Sequence, residues 1–115
     1  MYNPPHFREE RTEILHQMMR KYNFAAVVTL GPEGLLASHI PLLLDPDPAP
    51  FGTLRGHVAR ANSQWSVSLP DISALVIFQG PATYITPSWY AAKQEHGRVV
   101  PTYNYIVTHA TVSPF

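Results

Sequence analysis

The sequence predicts a mainly β fold, an antiparallel barrel or sheet that carries a few helices. Three observations point there. At least five apolar segments rich in β-branched residues lie between turn signals. Their links are short, as at Gly31-Pro-Glu-Gly34, which suits hairpins. The two helical segments do not alternate regularly with strands, so a parallel βαβ array does not follow.

The elements can be justified in order. Residues 8–22 read as the first helix, because Ile14, Leu15, Met18, Met19 and Tyr22 share one face at helical spacing. Glu9, Glu10 and Glu13 come early and Arg20 and Lys21 late, which suits the helix dipole. Residues 25–30 are the first strand, and residues 35–44 the second. Pro41 interrupts the second strand and marks an edge or a bulge, since proline has no N–H for a ladder. Residues 45–50 read as a stiff, polar, exposed loop. Residues 53–58 are a third strand and residues 59–65 a helical turn. Residues 72–79 form an apolar strand that Gly80-Pro81 breaks or kinks, and residues 82–86 form another short one. Thr86-Pro87 resembles a helix start, a hydroxyl cap followed by proline, with the helix running to about Glu95 and stopping at Gly97. Residues 99–112 are the last strand.

Composition narrows the function. A chain of 115 residues fits one domain with a modest core. Only 14% of its residues are charged, where roughly a quarter is usual, so self-association is expected. Eight basic residues balance eight acidic ones, and no run gathers the basic ones on a face for nucleic-acid phosphates. There is no cysteine, hence no disulfide and no thiolate metal site. The first seven residues lack the basic start and apolar run of a signal peptide, and no apolar stretch approaches the roughly 20 residues that span a bilayer. A cytoplasmic location is the expectation.

Three segments carry polar and aromatic groups that plain strand ends do not need. In Gly56-His-Val-Ala-Arg-Ala-Asn-Ser-Gln-Trp65 a strand runs through glycine into a turn. Free backbone N–H groups at such a turn attract anions, and His57, Arg60 and Asn62 add hydrogen-bonding side chains. A capped turn with an exposed arginine is the plain alternative. The Gly-rich spacing and terminal Lys-Ser/Thr of a P-loop are absent. Tyr84-Ile-Thr-Pro-Ser-Trp-Tyr90 places three aromatics beside hydroxyls, which suits a planar ligand, an interface or ordinary packing. Val100-Pro-Thr-Tyr-Asn-Tyr105 sets Asn104 inside a β-rich run, where an amide can meet ring carbonyls or cap a bulge. His39, His57 and His109 fall on different strands, but no metal-ligand spacing appears and no metal is expected. Ser38 and His39 are neighbours on a strand and point to opposite faces, so no hydrolase triad forms there.

In this order, Met1-Tyr2 with Pro5 and Phe7, Phe24-Ala25, His39-Ile-Pro-Leu-Leu-Leu44, Gly56-His-Val-Ala-Arg-Ala-Asn62 with Trp65, Phe78-Gln-Gly-Pro81, Tyr84-Ile-Thr-Pro-Ser-Trp-Tyr90 and Val100-Pro-Thr-Tyr-Asn-Tyr105 resemble the PaiB family across nearly the whole chain. These are FMN-binding negative transcriptional regulators of bacteria. The resemblance implies an FMN-binding split β-barrel like that of the pyridoxamine-phosphate oxidases, acting as a homodimer with FMN at the subunit interface. It implies that Gly56, His57, Val58, Arg60 and Asn62 meet the phosphate and ribityl chain. It implies that His39, Ile40 and Pro41 run along the flavin, and that Tyr84, Ser88, Thr102, Tyr103 and Asn104 wall the site. The family usually has Trp where this chain has Tyr103. Family chains also continue past this point, so residues 1–115 are expected to be one split-barrel domain, the N-terminal part of a longer family chain. A flavin-dependent oxidoreductase of the same fold is the alternative function, with His57 and Tyr103 its candidate acid–base residues. A haem-binding relative using His39, His57 or His109 is a further one. Whether any contact with DNA is direct stays open.

Overall fold

The structure is a computed structural model and describes residues 1–85 and 102–115. The helix expected over residues 86–95, with Ser88, Trp89 and Tyr90, lies outside the described residues.

A short 3-10 turn, Pro5–Phe7, precedes helix α1, Thr12–Lys21. The expected helix began at residue 8, and side-chain pairing explains the difference. Arg8 pairs with Glu10 and Arg11 with Glu9. Residues two apart do not face each other on a helix, so these pairs go with extended chain. Arg11 is indeed extended, at φ −72° and ψ 116°.

Strands β1, Phe24–Gly31, and β2, Gly34–Pro41, form a hairpin whose register runs from Phe24 opposite Pro41 to Gly31 opposite Gly34. Gly34 has φ +128°, which a side chain would strain. The strand expected over residues 35–44 is divided at Pro41. The N–H of Leu42 donates to the Asn23 carbonyl at 2.9 Å, and the chain then leaves the first sheet. Strand β3, Leu43–Asp45, pairs instead with β4, Thr53–Arg55, as a separate two-stranded sheet. The third strand thus stops at Arg55, short of Val58. The loop between β3 and β4 is exposed, as expected, and the Asp45 carboxylate accepts hydrogen bonds there from the Asp47 N–H and the Arg55 guanidinium.

The expected helical turn over residues 59–65 arrives late, as α2, Gln64–Val67. Asn62 delays it, because its Oδ1 accepts the Gln64 N–H and closes a side-chain turn first. The two strands expected over residues 72–79 and 82–86 are one strand, β5, Ala74–Ile85. Gly80-Pro81 causes a bulge between Gln79 and Ala82 rather than a break, and the bulge absorbs the missing proline donor. A Cβ on Gly80 would lie 3.2 Å from the Tyr22 ring, so the end of α1 rests against the bulge. Strand β6, Thr102–Val112, completes an antiparallel four-stranded sheet in the order β2-β1-β5-β6.

The mainly β, antiparallel architecture is as the sequence predicts, although the described strands form two sheets rather than a closed barrel. Alternation sorts the large sheet. Ala25 and Val27 of β1 and Ala74, Val76 and Phe78 of β5 are buried on one face. Met19 of α1 and Leu42 complete that core, with Ile40, Leu44, Leu54, Ala110 and Val112 packed around it. The opposite face carries Ala26, Val28, Leu30, Leu75, Ile77 and Val107, all half-buried. Phe78 sits in the middle of the core strand at 2% exposure. Phe78→Ala is expected to cost about 3–5 kcal/mol in a urea unfolding series, the range for emptying a buried aromatic site.

Candidate functional site

Where the two sheets meet they enclose a cavity of about 200 Å³. The large sheet contributes Val27, Ile40, Val76 and Val112, and the small sheet region contributes Leu42 and Leu54. Gly56, His57 and Val58 form one lip, and Ser113, Pro114 and Phe115 the other. The walls are mostly apolar and no acidic side chain stands among them. Such a space accepts a flat apolar body.

Glycine at position 56 permits a close approach. A Cβ there would fall 2.6 Å from Leu42 Cδ2 and 3.1 Å from the Pro41 carbonyl oxygen. The chain beyond β4 therefore passes directly over the point where β2 ends. After Gly56 the backbone follows neither strand nor helix. Among the described residues no acceptor faces the N–H groups of His57, Val58, Ala59 or Arg60. The Asn62 N–H closes the turn onto the Ala59 carbonyl at 2.8 Å. Trp65 Nε1 donates to the Arg60 carbonyl at 3.1 Å and pins the turn from its other side. The Arg60 guanidinium is exposed and has no ion-pair partner among the described residues. A run of open N–H donors with an uncommitted arginine suits a phosphate.

The predicted site residues among the described ones divide into four groups. Ile40, Gly56, His57 and Val58 line the cavity together. Arg60 and Asn62 belong to the adjoining turn. Both ends of the Asn62 amide are in use, since Nδ2 donates to Ser38 Oγ at 3.0 Å and Oδ1 accepts the Gln64 N–H. His39 and Pro41 are exposed on β2, and His39 lies opposite Ala26 on the outer face, 6.2 Å from the Phe24 ring. Strand alternation thus separates His39 from Ile40.

The fourth group stands on the β5–β6 arm. Tyr84 pairs with Tyr103 in register, their rings edge to face at 5.6 Å, and Thr83 pairs with Asn104. Thr102 is opposite Ile85 at the arm's end. Tyr84 lies roughly 25 Å along β5 from Val76 at ordinary strand spacing, so within one chain the arm is far from the cavity. His39 and His109 both lie on the outer face, in one cross-strand row with Ala26 and Ile77 between them, while His57 lines the cavity. The three histidines do not converge, and no metal-binding cluster occurs among the described residues.

Sequence reasoning missed Gln64. It is 2% exposed, and its Nε2 donates to the Val27 carbonyl and Thr29 Oγ1, each at 3.0 Å, and to the Leu36 carbonyl at 3.3 Å. Its Oε1 accepts from Ser38 Oγ. The signal was present in the strands. Thr29 and Ser38 fall on the core face by alternation, and hydroxyls there need a polar partner from whatever packs above them.

The family described as "Putative FMN-binding domain" matches residues 1–114. The chain belongs to this FMN-binding family. Over 109 residues it is 33% identical to a Bacillus subtilis relative, "Protease synthase and sporulation protein PAI 2", covering 95% of this chain and 50% of that one. An uncharacterized protein of Emericella nidulans is 31% identical over 89% of this chain and 51% of its own length. Another, from Saccharomyces cerevisiae, is 31% identical over 70% of this chain and 48% of its own. The chain spans about half the length of the curated relatives it matches. The expected PaiB-like membership and the FMN cofactor are thus confirmed at the level of the family. The geometry fits that cofactor at its phosphate end, where the donor-rich turn lies, and its ring end in chemistry. The volume is short of the roughly 300–1,000 Å³ common for such ligands.

The close approach at Gly56 yields a direct test. Gly56→Ala is expected to lower stability by about 1–3 kcal/mol, the usual cost of overpacking, and to displace the turn that follows. Thermal unfolding of the variant beside the parent chain measures the first effect.

Proposed function

We propose that this domain binds FMN with its phosphate on the turn from Gly56 to Asn62 and its ring system against the apolar cavity. The observation that carries this reading is the turn itself. Four consecutive N–H groups lack a partner among the described residues, beside a guanidinium with no ion pair. His57 and Val58 extend the contact toward the ribityl chain, and Ile40 lies where a ring would pack. When bound, FMN supplies hydride and one-electron chemistry of its own. The residues here bind it, orient it and exclude water from one side.

The same reading makes the working unit a homodimer of split-barrel domains with FMN at the interface. Three features support it. The cavity of about 200 Å³ encloses only part of such a ligand. The Cα radius of gyration is 17.9 Å, where a compact domain of this length has about 13 Å. Tyr84, Tyr103 and Tyr105 stand exposed on an arm too far from the chain's own cavity to wall it, but suited to walling a second copy's. Thr102 and Asn104 of that arm would face the cofactor in the same way, as would His39 and Pro41 from the edge strand. The outer face of the large sheet gives a second copy apolar area to cover.

A regulatory role, as a negative regulator of transcription working in the cytoplasm, is the function this reading favours. It rests on the resemblance to the Bacillus protein, whose name refers to protease synthase and sporulation. No helix among the described residues is long and apolar enough to cross a membrane. The balanced charge favours an indirect route to DNA over direct contact by this segment.

Fluorescence titration with FMN tests the cofactor reading. Quenching that saturates is expected, and Arg60→Ala should weaken binding by about 1–3 kcal/mol, the range for a hydrogen bond to a charged group. Flavin that never binds, or binding unchanged in the variant, removes the turn from the site. Light scattering coupled to gel filtration tests assembly. A mass twice that of the chain is expected, and a monomer that retains FMN would overturn the shared-interface reading.

A further inference from the structure

We infer that Gln64 is the positioning residue of the phosphate turn, setting how strongly the domain prefers a phosphorylated flavin to an unphosphorylated one. The inference rests on the phosphate reading above and adds a residue to it.

Gln64 is the first residue of α2 and sits just beyond the turn that carries Arg60. Its side chain enters the space over β1 and β2 and is buried there. Each polar atom of the amide has a partner. Nε2 reaches the carbonyls of Val27 and Leu36 and the Thr29 hydroxyl, and Oε1 takes the Ser38 hydroxyl. These partners come from adjacent strands in register, with Val27 opposite Ser38 and Thr29 opposite Leu36. The amide therefore fixes α2 to one place on the hairpin.

The turn is tied to this anchor at two points. The Gln64 N–H is held by Asn62 Oδ1, and Asn62 Nδ2 is held by Ser38 Oγ, the hydroxyl that also binds Gln64. A third link runs from the far end of α2. Ser68 Oγ donates to the Gln64 carbonyl and shares a hydrogen bond with the Thr29 hydroxyl at 2.8 Å. Among the described residues no buried side-chain polar atom is left without a partner, so the network is closed. A closed buried network has one low-energy arrangement, because any shift leaves a desolvated group unpaired. Trp65, the next residue, then carries that arrangement to the Arg60 carbonyl. Gln64 touches no ligand in this scheme. It sets the position of the N–H groups and the arginine that do.

The alternative is that Gln64 only stabilises the fold. Comparing FMN with riboflavin separates the two, since the ligands share the ring and ribityl chain and differ in the phosphate. Binding of both is measured by fluorescence titration for the parent chain, Gln64→Leu and the milder Ser38→Ala, with thermal unfolding of each. The parent is expected to prefer FMN. In Gln64→Leu the FMN-to-riboflavin affinity ratio should fall by about tenfold, the scale of one lost charge-assisted hydrogen bond, while riboflavin affinity changes little. Ser38→Ala should lower the ratio less, and it keeps the test open where Gln64→Leu does not fold. Variants that unfold at lower temperature but keep the parent's ratio overturn this inference alone. A parent chain that binds flavin without preferring the phosphate overturns the phosphate reading, and this inference with it.

Discussion

The chain crosses from the large sheet to the small one at Leu42, and most of the candidate site follows from how that crossing is made. Pro41 sits opposite Phe24 at a non-hydrogen-bonded position, so its missing N–H faces the open edge of β2 and costs the ladder nothing. The Leu42 N–H makes the last rung, in register with Asn23, and the chain then leaves in a new direction. The Leu42 side chain is 7% exposed and joins the core below. Gly56 then crosses the same point at a distance that leaves little room for a side chain. Ile40, Leu42, Leu54 and Gly56 are brought together by this arrangement, and all of them line the cavity. A site built on two strand ends and a crossing glycine has a fixed apolar floor and an irregular lip. The irregular lip is where backbone donors are free to meet a ligand.

Much of the fold was legible because its signals are local. The alternation of β1, the Pro-Glu turn and the apolar face of α1 each depend on residues a few positions apart. The misplaced boundaries were settled by contacts that sequence spacing does not display. Arg8 and Arg11 chose carboxylates two residues away and held the chain extended before α1. Asn62 closed a turn before α2 was able to begin. Gly80-Pro81 looked like a break because proline lacks a donor, yet β6 continues across it on the other side and keeps β5 one strand. The site was legible to the same degree. The turn at Gly56 announced itself by composition. Gln64, between a serine and a tryptophan, looks like surface until the hydroxyls of Thr29 and Ser38 are seen beneath it.

The sheet's two faces differ in a way that bears on assembly. One is covered by Met19, Leu42 and α2. The other bears Val28, Leu30, Leu75, Ile77 and Val107 beside only a few polar groups, among them His39 and His109. Antiparallel sheets with a solvated face normally alternate apolar inward and polar outward. Here the outward positions are mostly apolar as well, which agrees with the low charge fraction of the chain. The sheet thus carries more apolar strand surface than the described helices cover, and a projecting pair of strands beyond it. Both features fit a chain whose folded unit involves a second copy.

The polar network and the cavity serve opposite needs, and their separation is informative. The cavity is mostly apolar and, among the described residues, no buried side-chain polar atom lacks a partner, so it gains most from a ligand with a flat apolar body. The network lies beside it under α2 and spends its polar groups on the protein itself. Had Gln64 and Asn62 pointed into the cavity, each would compete for water there and raise the cost of seating an apolar ring. Held against β1 and β2, they instead stiffen the one stretch of irregular backbone at the rim. A ligand with an uncharged planar head and an anionic tail exploits both halves, the head against the valines and the tail against ordered N–H groups. A wholly polar ligand would leave the floor unused, and a wholly apolar one would leave the donors of residues 57–60 to water.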